Sequence, residues 1–305
     1  MASSDPVAGA AGYEVLRRFA GWRALDRDVV TVTGPDAATF LQGQLTQDVV
    51  GLAAGSSAWS LILAPAGRVD ALVRVWRIDA DTFALDTDAG YGEAVVTRLA
   101  RFKLRTKAEI AAVDWPVIGV RGPQAAAAVA AAGAVGQTAE GDVLGVLDAS
   151  WPGWPGVDLV GPGATAPAGV AEVASDAWEA ARIEAGVPQM GRELTERTIP
   201  AEAGVVERTV SFTKGCFTGQ ELVARIDSRG AKVPRNLRGL RADKPLEAGA
   251  ALVADGKEVC WVTSAALLPG SGWVALAYVA RAVGVPALLD GGGFAVEVLE
   301  LPLVS

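Results

Sequence analysis

Residues 259–280 form a run of 22 positions without a charge, long enough to cross a membrane or to make two strands of a buried sheet. The middle of the run reads Pro269-Gly270-Ser271-Gly272, a turn signal, and both flanks are rich in β-formers. Two strands joined by a turn fit this pattern and a spanning helix does not. Asp255-Gly256 and Asp290-Gly-Gly-Gly293 punctuate further strand-like runs between 237 and 305, with no helical period among them. Turn signals at this spacing predict a small all-β domain, a barrel. The predicted boundary falls near Val233-Pro234, dividing the chain into a body, 1–234, and a barrel, 235–305.

The body mixes strands and helices. Residues 28–33 read as a strand that runs into Gly34-Pro35-Asp36, with Thr33 as expected N-cap of a short helix through Phe40 and Leu41 that ends near Gly43. Residues 57–63, 69–78 and 83–86 read as strands, with Pro65-Ala-Gly67 a turn between the first two. A helix over 90–99 leads into the basic segment Arg101–Lys107. Val117–Val120, Arg121-Gly-Pro123 and a helix over 124–132 repeat the first unit with Gly-Pro at the same junction, an internal echo. The Trp-, Pro- and Gly-rich stretch 150–169 reads as a loop or strand pair. Ser175 is the expected cap of a helix through Trp178, Ala181 and Ile183 that stops at Gly186-Val-Pro188.

Composition removes several chemistries. With no histidine, the chain alone builds no Ser-His-Asp triad, Cys-His dyad or histidine metal site. Its two cysteines, Cys216 and Cys260, exclude a self-contained four-cysteine cluster and give no basis for a disulfide framework. A net charge of −8 repels nucleic acid and anionic membranes, so no direct partner of either kind is expected. The first residues, MASSDPVAGAAGYEV, lack the lysines and apolar block of a signal peptide, and a cytoplasmic protein is expected.

Chemistry concentrates in Lys214-Gly-Cys-Phe-Thr-Gly-Gln-Glu221. Thr218 and Glu221 match a capping box, so a helix is expected from Gly219 to about Arg229, closed by Gly230. Cys216 then lies just outside a helix N-terminus and two residues from Lys214, both of which favour a thiolate. Gly215 and Gly219 allow a ligand close to the backbone. The competing reading is a small thiol that fills space; for Cys260, flanked by Val259, Trp261 and Val262, that reading holds. Lys214, Arg225, Arg229, Lys232 and Arg235 outnumber Glu221 and Asp227 locally. They form either a solvated helix face with Glu221 and Arg225 paired, or an anion site for a substrate tail. Glu184 sits in the last turn of its helix, at the unfavourable end of the dipole. Exposure to solvent is its plain reading; the sharper one is a ligand presenting two adjacent N–H donors.

The octapeptide resembles the signature of the YgfZ family, folate-binding relatives of the glycine-cleavage T-protein, with Phe217 where tyrosine is usual. Phe40–Asp48, Pro65–Asp70, Arg182–Pro188, Glu196–Glu202 and Thr263-Ser264 look family-like in the same order, over about residues 25–285. The resemblance implies an α+β fold: ferredoxin-like subdomains around a central channel that holds a reduced folate, followed by a small C-terminal β-barrel. It implies a tetrahydrofolate-dependent role in assembling or repairing iron–sulfur clusters in client enzymes, with tRNA modification reached through iron–sulfur tRNA-modifying enzymes. The implied partners are reduced folate and iron–sulfur clients or assembly factors. By motif, Cys216 is the functional thiol, shaped by Lys214, Gly215, Gly219, Gln220 and Glu221, and a shared metal ligand at most. Glu184 and Asp70 match folate-facing carboxylates, and Gln220 and Arg225 join them as folate-binding candidates. Asp70 also keeps a second reading open, a tetrahydrofolate-dependent aminomethyltransferase or demethylase that uses it as general base. In a third, the chain is a folate-sensing adaptor in which Cys216 only packs.

Overall fold

In the computed structural model, which describes residues 6–133, 144–230 and 232–304, helix α1 (Pro6–Arg18) and strand β1 (Gly21–Ala24) precede the first Gly-Pro junction. That junction joins β2 (Arg27–Thr33) to α2 (Ala37–Gln44). Then come β3 (Ser57–Leu63), β4 (Val69–Arg77), β5 (Thr82–Asp88), α3 (Gly92–Lys103) and β6 (Glu109–Val113). Their strands form an antiparallel sheet in the order β3-β4-β5-β2-β6. One face of it buries Val30, Val32, Val73 and Leu85 against Phe40 and Leu41 of α2 and Val95 and Leu99 of α3. Helix α3 continues past 99 into the basic segment.

The second Gly-Pro junction joins β7 (Val117–Arg121) to α4 (Ala125–Ala131), followed by β8 (Gly145–Asp148), β9 (Gly156–Val160) and β10 (Ala171–Glu172). With β1 these make a second five-stranded sheet, β10-β1-β7-β9-β8. The echo read from the sequence is structural. Gly34 and Gly122 take φ of 126° and 122°, and their carbonyls accept the N–H of Ala37 and Ala125 at 2.9 and 3.0 Å. A Cβ would stand 2.5 Å from the Lys107 carbonyl oxygen at Gly34 and 2.3 Å from that of Phe19 at Gly122, so both corners require glycine. Thr33 is therefore not the cap: the N-cap of α2 is Asp36, whose carboxylate instead accepts the Lys107 N–H at 2.8 Å.

Helix α5 (Ser175–Glu184) starts at Ser175 without a side-chain cap and lies between α1 and the barrel. The short α6 (Val206–Thr209) and α7 (Gln220–Ser228) follow. The barrel consists of β11 (Arg235–Ala242), β12 (Ala251–Ala254), β13 (Lys257–Leu268), β14 (Gly272–Ala280), β15 (Ala287–Asp290) and β16 (Ala295–Leu299), closed in the order β11-β14-β13-β12-β15-β16. The uncharged run is its β13–β14 hairpin, with Leu268 opposite Gly272. No helix among the described residues is long and apolar enough to cross a membrane. Cys260 is fully buried in the barrel, and burial pushes its thiol up to about 12. Body and barrel meet at Glu193, whose carboxylate accepts from Arg182 (3.2 Å), Thr263 (2.8 Å) and Ser264 (2.5 Å).

Candidate functional site

The two sheets of the body approach one another through Trp76 and Ala84 on one side and Val117, Leu147 and Val160 on the other. Beside this contact lies a cavity of about 500 Å³, walled by Trp59 of β3, Trp151, Trp178 of α5 and the 187–192 loop. Its volume is in the range of small-molecule and cofactor sites. Trp151 and Trp178 meet edge to face at 5.3 Å, and the Arg121 guanidinium lies 4.4 and 5.1 Å from their ring centres. Arg27 and Arg74 each stand 5.5 Å from the Trp59 ring. Flat aromatic walls with interleaved charges suit a planar heteroaromatic ligand that carries hydrogen-bonding edges.

A chain of ion pairs crosses from sheet to sheet beside this cavity. Arg27 pairs with Asp86 and, at 3.0 Å, with Asp88. Asp86 accepts Arg74 at 2.9 Å, and Arg74 reaches over to Asp158 of β9 at 2.8 Å, which also takes Arg121 at 2.7 Å. Burial opposes the charge on Asp158, but Arg121 and Arg74 outweigh it and hold the carboxyl below the usual range. The buried Nε–H of Arg121 has no acceptor among the described residues. On α5, Glu179 takes Arg182 at 2.7 and 2.8 Å and Arg192 at 2.5 Å.

The cysteine motif occupies a different surface. Cys216 is exposed, in the loop that precedes α7. The Lys214 ammonium donates to the carbonyls of Gln42 (2.6 Å), Leu45 (2.6 Å) and Gln47 (3.0 Å), which uses all three of its donors. Lys214 is thus a clamp on the Phe40–Asp48 segment, with no donor left for the thiol. Burial pulls its amine down to about 8, an effect Asp48 partly offsets. The expected capping box does not form. Gly219 is the N-cap, at φ 81°, and the Gln220 side-chain oxygen accepts the Phe217 N–H at 3.2 Å. Gly219 and Leu222 lie against the Pro65-Ala-Gly67 turn. Three segments read separately along the chain therefore converge around Cys216. Lys214→Met should cost about 2–3 kcal/mol of local stability, since it strips a charged donor from three carbonyls. Hydrogen exchange should show protection lost in both 42–48 and 211–219; altered thiol reactivity with unchanged exchange would return the ammonium to the cysteine.

The remaining candidates lie outside the cavity. Asp70 is the bulged residue where the β3–β4 register shifts, and its carboxylate meets Arg98 of α3 at 3.4 Å. Burial raises it above the usual carboxylate range, with Arg98 in opposition. Glu184 is neither exposed nor in the cavity. It is buried under α1, accepting Tyr13 Oη at 2.5 Å and Arg17 at 3.4 Å, so the two donors its position calls for come from the protein. Gln220 is used within its own turn, and Arg225 is exposed on α7 with no ion pair to Glu221 among the described residues. Sequence reasoning passed over Trp59, Trp151, Trp178, Arg121 and Asp158. The dense Trp-Pro-Gly content of 150–169 was a visible signal for Trp151 and Asp158 alone. Among the described residues no three His, Cys, Asp or Glu side chains cluster as a metal site would need.

Comparison with known proteins adds independent findings. A family model described as the GCVT N-terminal domain matches residues 27–140. The tRNA-modifying protein YgfZ of Klebsiella pneumoniae (strain 342) is 32% identical over 219 residues, 68% of this chain and 67% of that protein. YgfZ of Escherichia coli (strain K12 / DH10B) is 33% identical over 220 residues with the same coverage. The crystal structure of the glycine cleavage system aminomethyltransferase T from Bartonella henselae matches with a TM-score of 0.86 at 26% identity, covering 100% of this chain and 91% of that one. The α+β body with its C-terminal barrel is thus of the T-protein type.

Proposed function

Since the chain belongs to the YgfZ family, we propose that it binds a reduced folate in the cavity between its sheets and supports assembly or repair of iron–sulfur clusters. Its clients include tRNA-modifying enzymes, it works in the cytoplasm, and the thiol of Cys216 does the contacting. The residues fit the folate. Trp59, Trp151 and Trp178 offer faces for a pterin, Asp158 and Glu179 offer acceptors for its amino and ring N–H groups, and Arg121 holds a buried donor in reserve. Bound there, tetrahydrofolate would supply one-carbon or redox capacity, while the chain's own part is to orient the ring and keep it from water.

The observation that carries the reading is an exposed cysteine on a clamped loop, with its neighbours tied to the 42–48 segment and the 64–67 turn. A thiol meant only to fill space would be inside, as Cys260 is. The iron–sulfur cluster is cargo here, so its other ligands come from the client, a second copy or a small thiol. The transferase alternative draws on the aminomethyltransferase neighbour, but it needs Asp70 beside the folate, and Asp70 is turned to Arg98.

The test is rescue of an iron–sulfur tRNA-modifying enzyme in a strain deleted for this protein. Wild type should restore the modified nucleoside, and Cys216→Ser should leave it at the empty-vector level. Equal rescue by both removes the thiol from the function and leaves the cavity to carry it.

A further inference from the structure

The arginines that line the cavity are held by acceptors of the chain, with one exception. Arg27 has Asp86 and Asp88, Arg121 has Asp158, Arg182 has Glu179 and Glu193, and Arg192 has Glu179. Arg23, which has no carboxylate, donates to the Val173 carbonyl at 3.2 Å. Arg208 enters the cavity wall from α6 and, among the described residues, has neither a hydrogen-bond acceptor nor an ion pair. Burial alone pulls its guanidinium below the usual arginine range, and no carboxylate counters this. The side chain is half-buried, so in the ligand-free protein its guanidinium is left to solvent rather than to an acceptor among the described residues.

The backbone that carries Arg208 is nevertheless fixed. Its neighbour Thr209 is fully buried, the Thr209 hydroxyl donates to the Val205 carbonyl at 2.7 Å, and the Thr209 carbonyl accepts the Thr46 hydroxyl at 2.6 Å. A guanidinium that lines the cavity from a fixed backbone, committed to no acceptor among the described residues, is open to an anion from the ligand, and a carboxylate matches its fork. We propose that Arg208 is the carboxylate anchor of the cavity, binding the acidic tail of the ligand so that the chain selects pterins with such a tail over tailless ones. The assignment rests on the folate reading, and it names which end of that molecule α6 holds.

The test is equilibrium binding of two probes, 5-formyltetrahydrofolate and the tailless 6,7-dimethyltetrahydropterin, to the full chain as wild type, Arg208→Gln and Arg208→Lys. Arg208→Gln should bind the folate about 10- to 100-fold more weakly, the effect of losing one charge-assisted hydrogen bond, and the pterin within about twofold of wild type. Arg208→Lys should recover part of the folate affinity. The thermal midpoint of ligand-free Arg208→Gln should match or exceed that of wild type, because no internal partner is lost. Unchanged folate affinity in Arg208→Gln overturns the anchor and leaves the folate reading intact. So does a lowered midpoint with equal weakening of both probes, which marks a structural arginine. Failure of wild type to bind either probe overturns the folate reading and the anchor with it.

Discussion

Asp158→Asn is expected to remove about 3–5 kcal/mol of folding stability, the cost of breaking a buried ion pair from one side. Asp158 of β9 is the carboxylate through which the second sheet meets the charges of the first: Arg74 approaches it from β4 and Arg121 from β7. Among the described residues no spare acceptor waits for either arginine. Arg121 Nε and one terminal nitrogen of Arg74 already lack partners, and Asp86 is shared with Arg27. The neutral amide would leave both guanidinium groups buried and short of charge. The same carboxylate gives stability an acid limb. Its folded value lies below its unfolded one, so its contribution is complete above the ordinary carboxylate pKa of about 3.9 and is lost as pH falls through the folded value. Urea unfolding of both proteins from pH 7 downward should show a wide gap that narrows below about pH 4. A gap of under about 1 kcal/mol at pH 7 would mean the sheets are held together without this link.

What was legible in the sequence was local. The β13–β14 hairpin follows from a Pro-Gly turn between β-formers, and both strand-to-helix corners follow from Gly-Pro after a Val-rich strand. What was illegible depends on partners far along the chain. Glu184 looks exposed until α1 covers it with Tyr13, 171 residues away, and Lys214 looks like a companion of Cys216 until carbonyls 167–172 residues away claim it. Asp70 lies in a strand that is buried along almost its whole length, and a register shift against β3 leaves it unpaired there; no property of 69–77 alone shows that shift. The capping box failed for a related reason. Thr218 and Glu221 are correctly spaced, yet the close approach of Gly219 to the 64–67 turn decides how α7 begins. The cavity was hidden because its walls come from separate segments, each of which reads as ordinary strand, loop or helix.

Gly219→Val should abolish the Cys216-dependent rescue as fully as Cys216→Ser while leaving folate binding within about twofold of wild type. Gly219 holds φ at 81°, and a Cβ there would stand 2.6 Å from the Ala64 carbonyl oxygen and 2.9 Å from Leu63 Cβ. The contact is tight from the other side too: a Cβ on Gly67 would stand 2.5 Å from Leu222 Cβ. The turn cannot easily yield, because Ala64 N–H bonds to Arg68 and Gly67 N–H to Ala64, at 2.9 and 2.8 Å. A β-branched residue in the left-handed region adds about 1–2 kcal/mol to an overpacking cost of about 1–3 kcal/mol. The cheaper escape is for α7 to lift from the turn and carry residues 214–219 with it. Hydrogen exchange should then rise across 214–228, whereas the strands that bear Trp59 and Asp158 keep their protection. Full rescue by Gly219→Val would show that the position of the thiol does not depend on the glycine contact. Loss of folate binding together with rescue would show instead that loop and cavity act as one site, and the separation between an exposed thiol and an enclosed ligand would have to be abandoned.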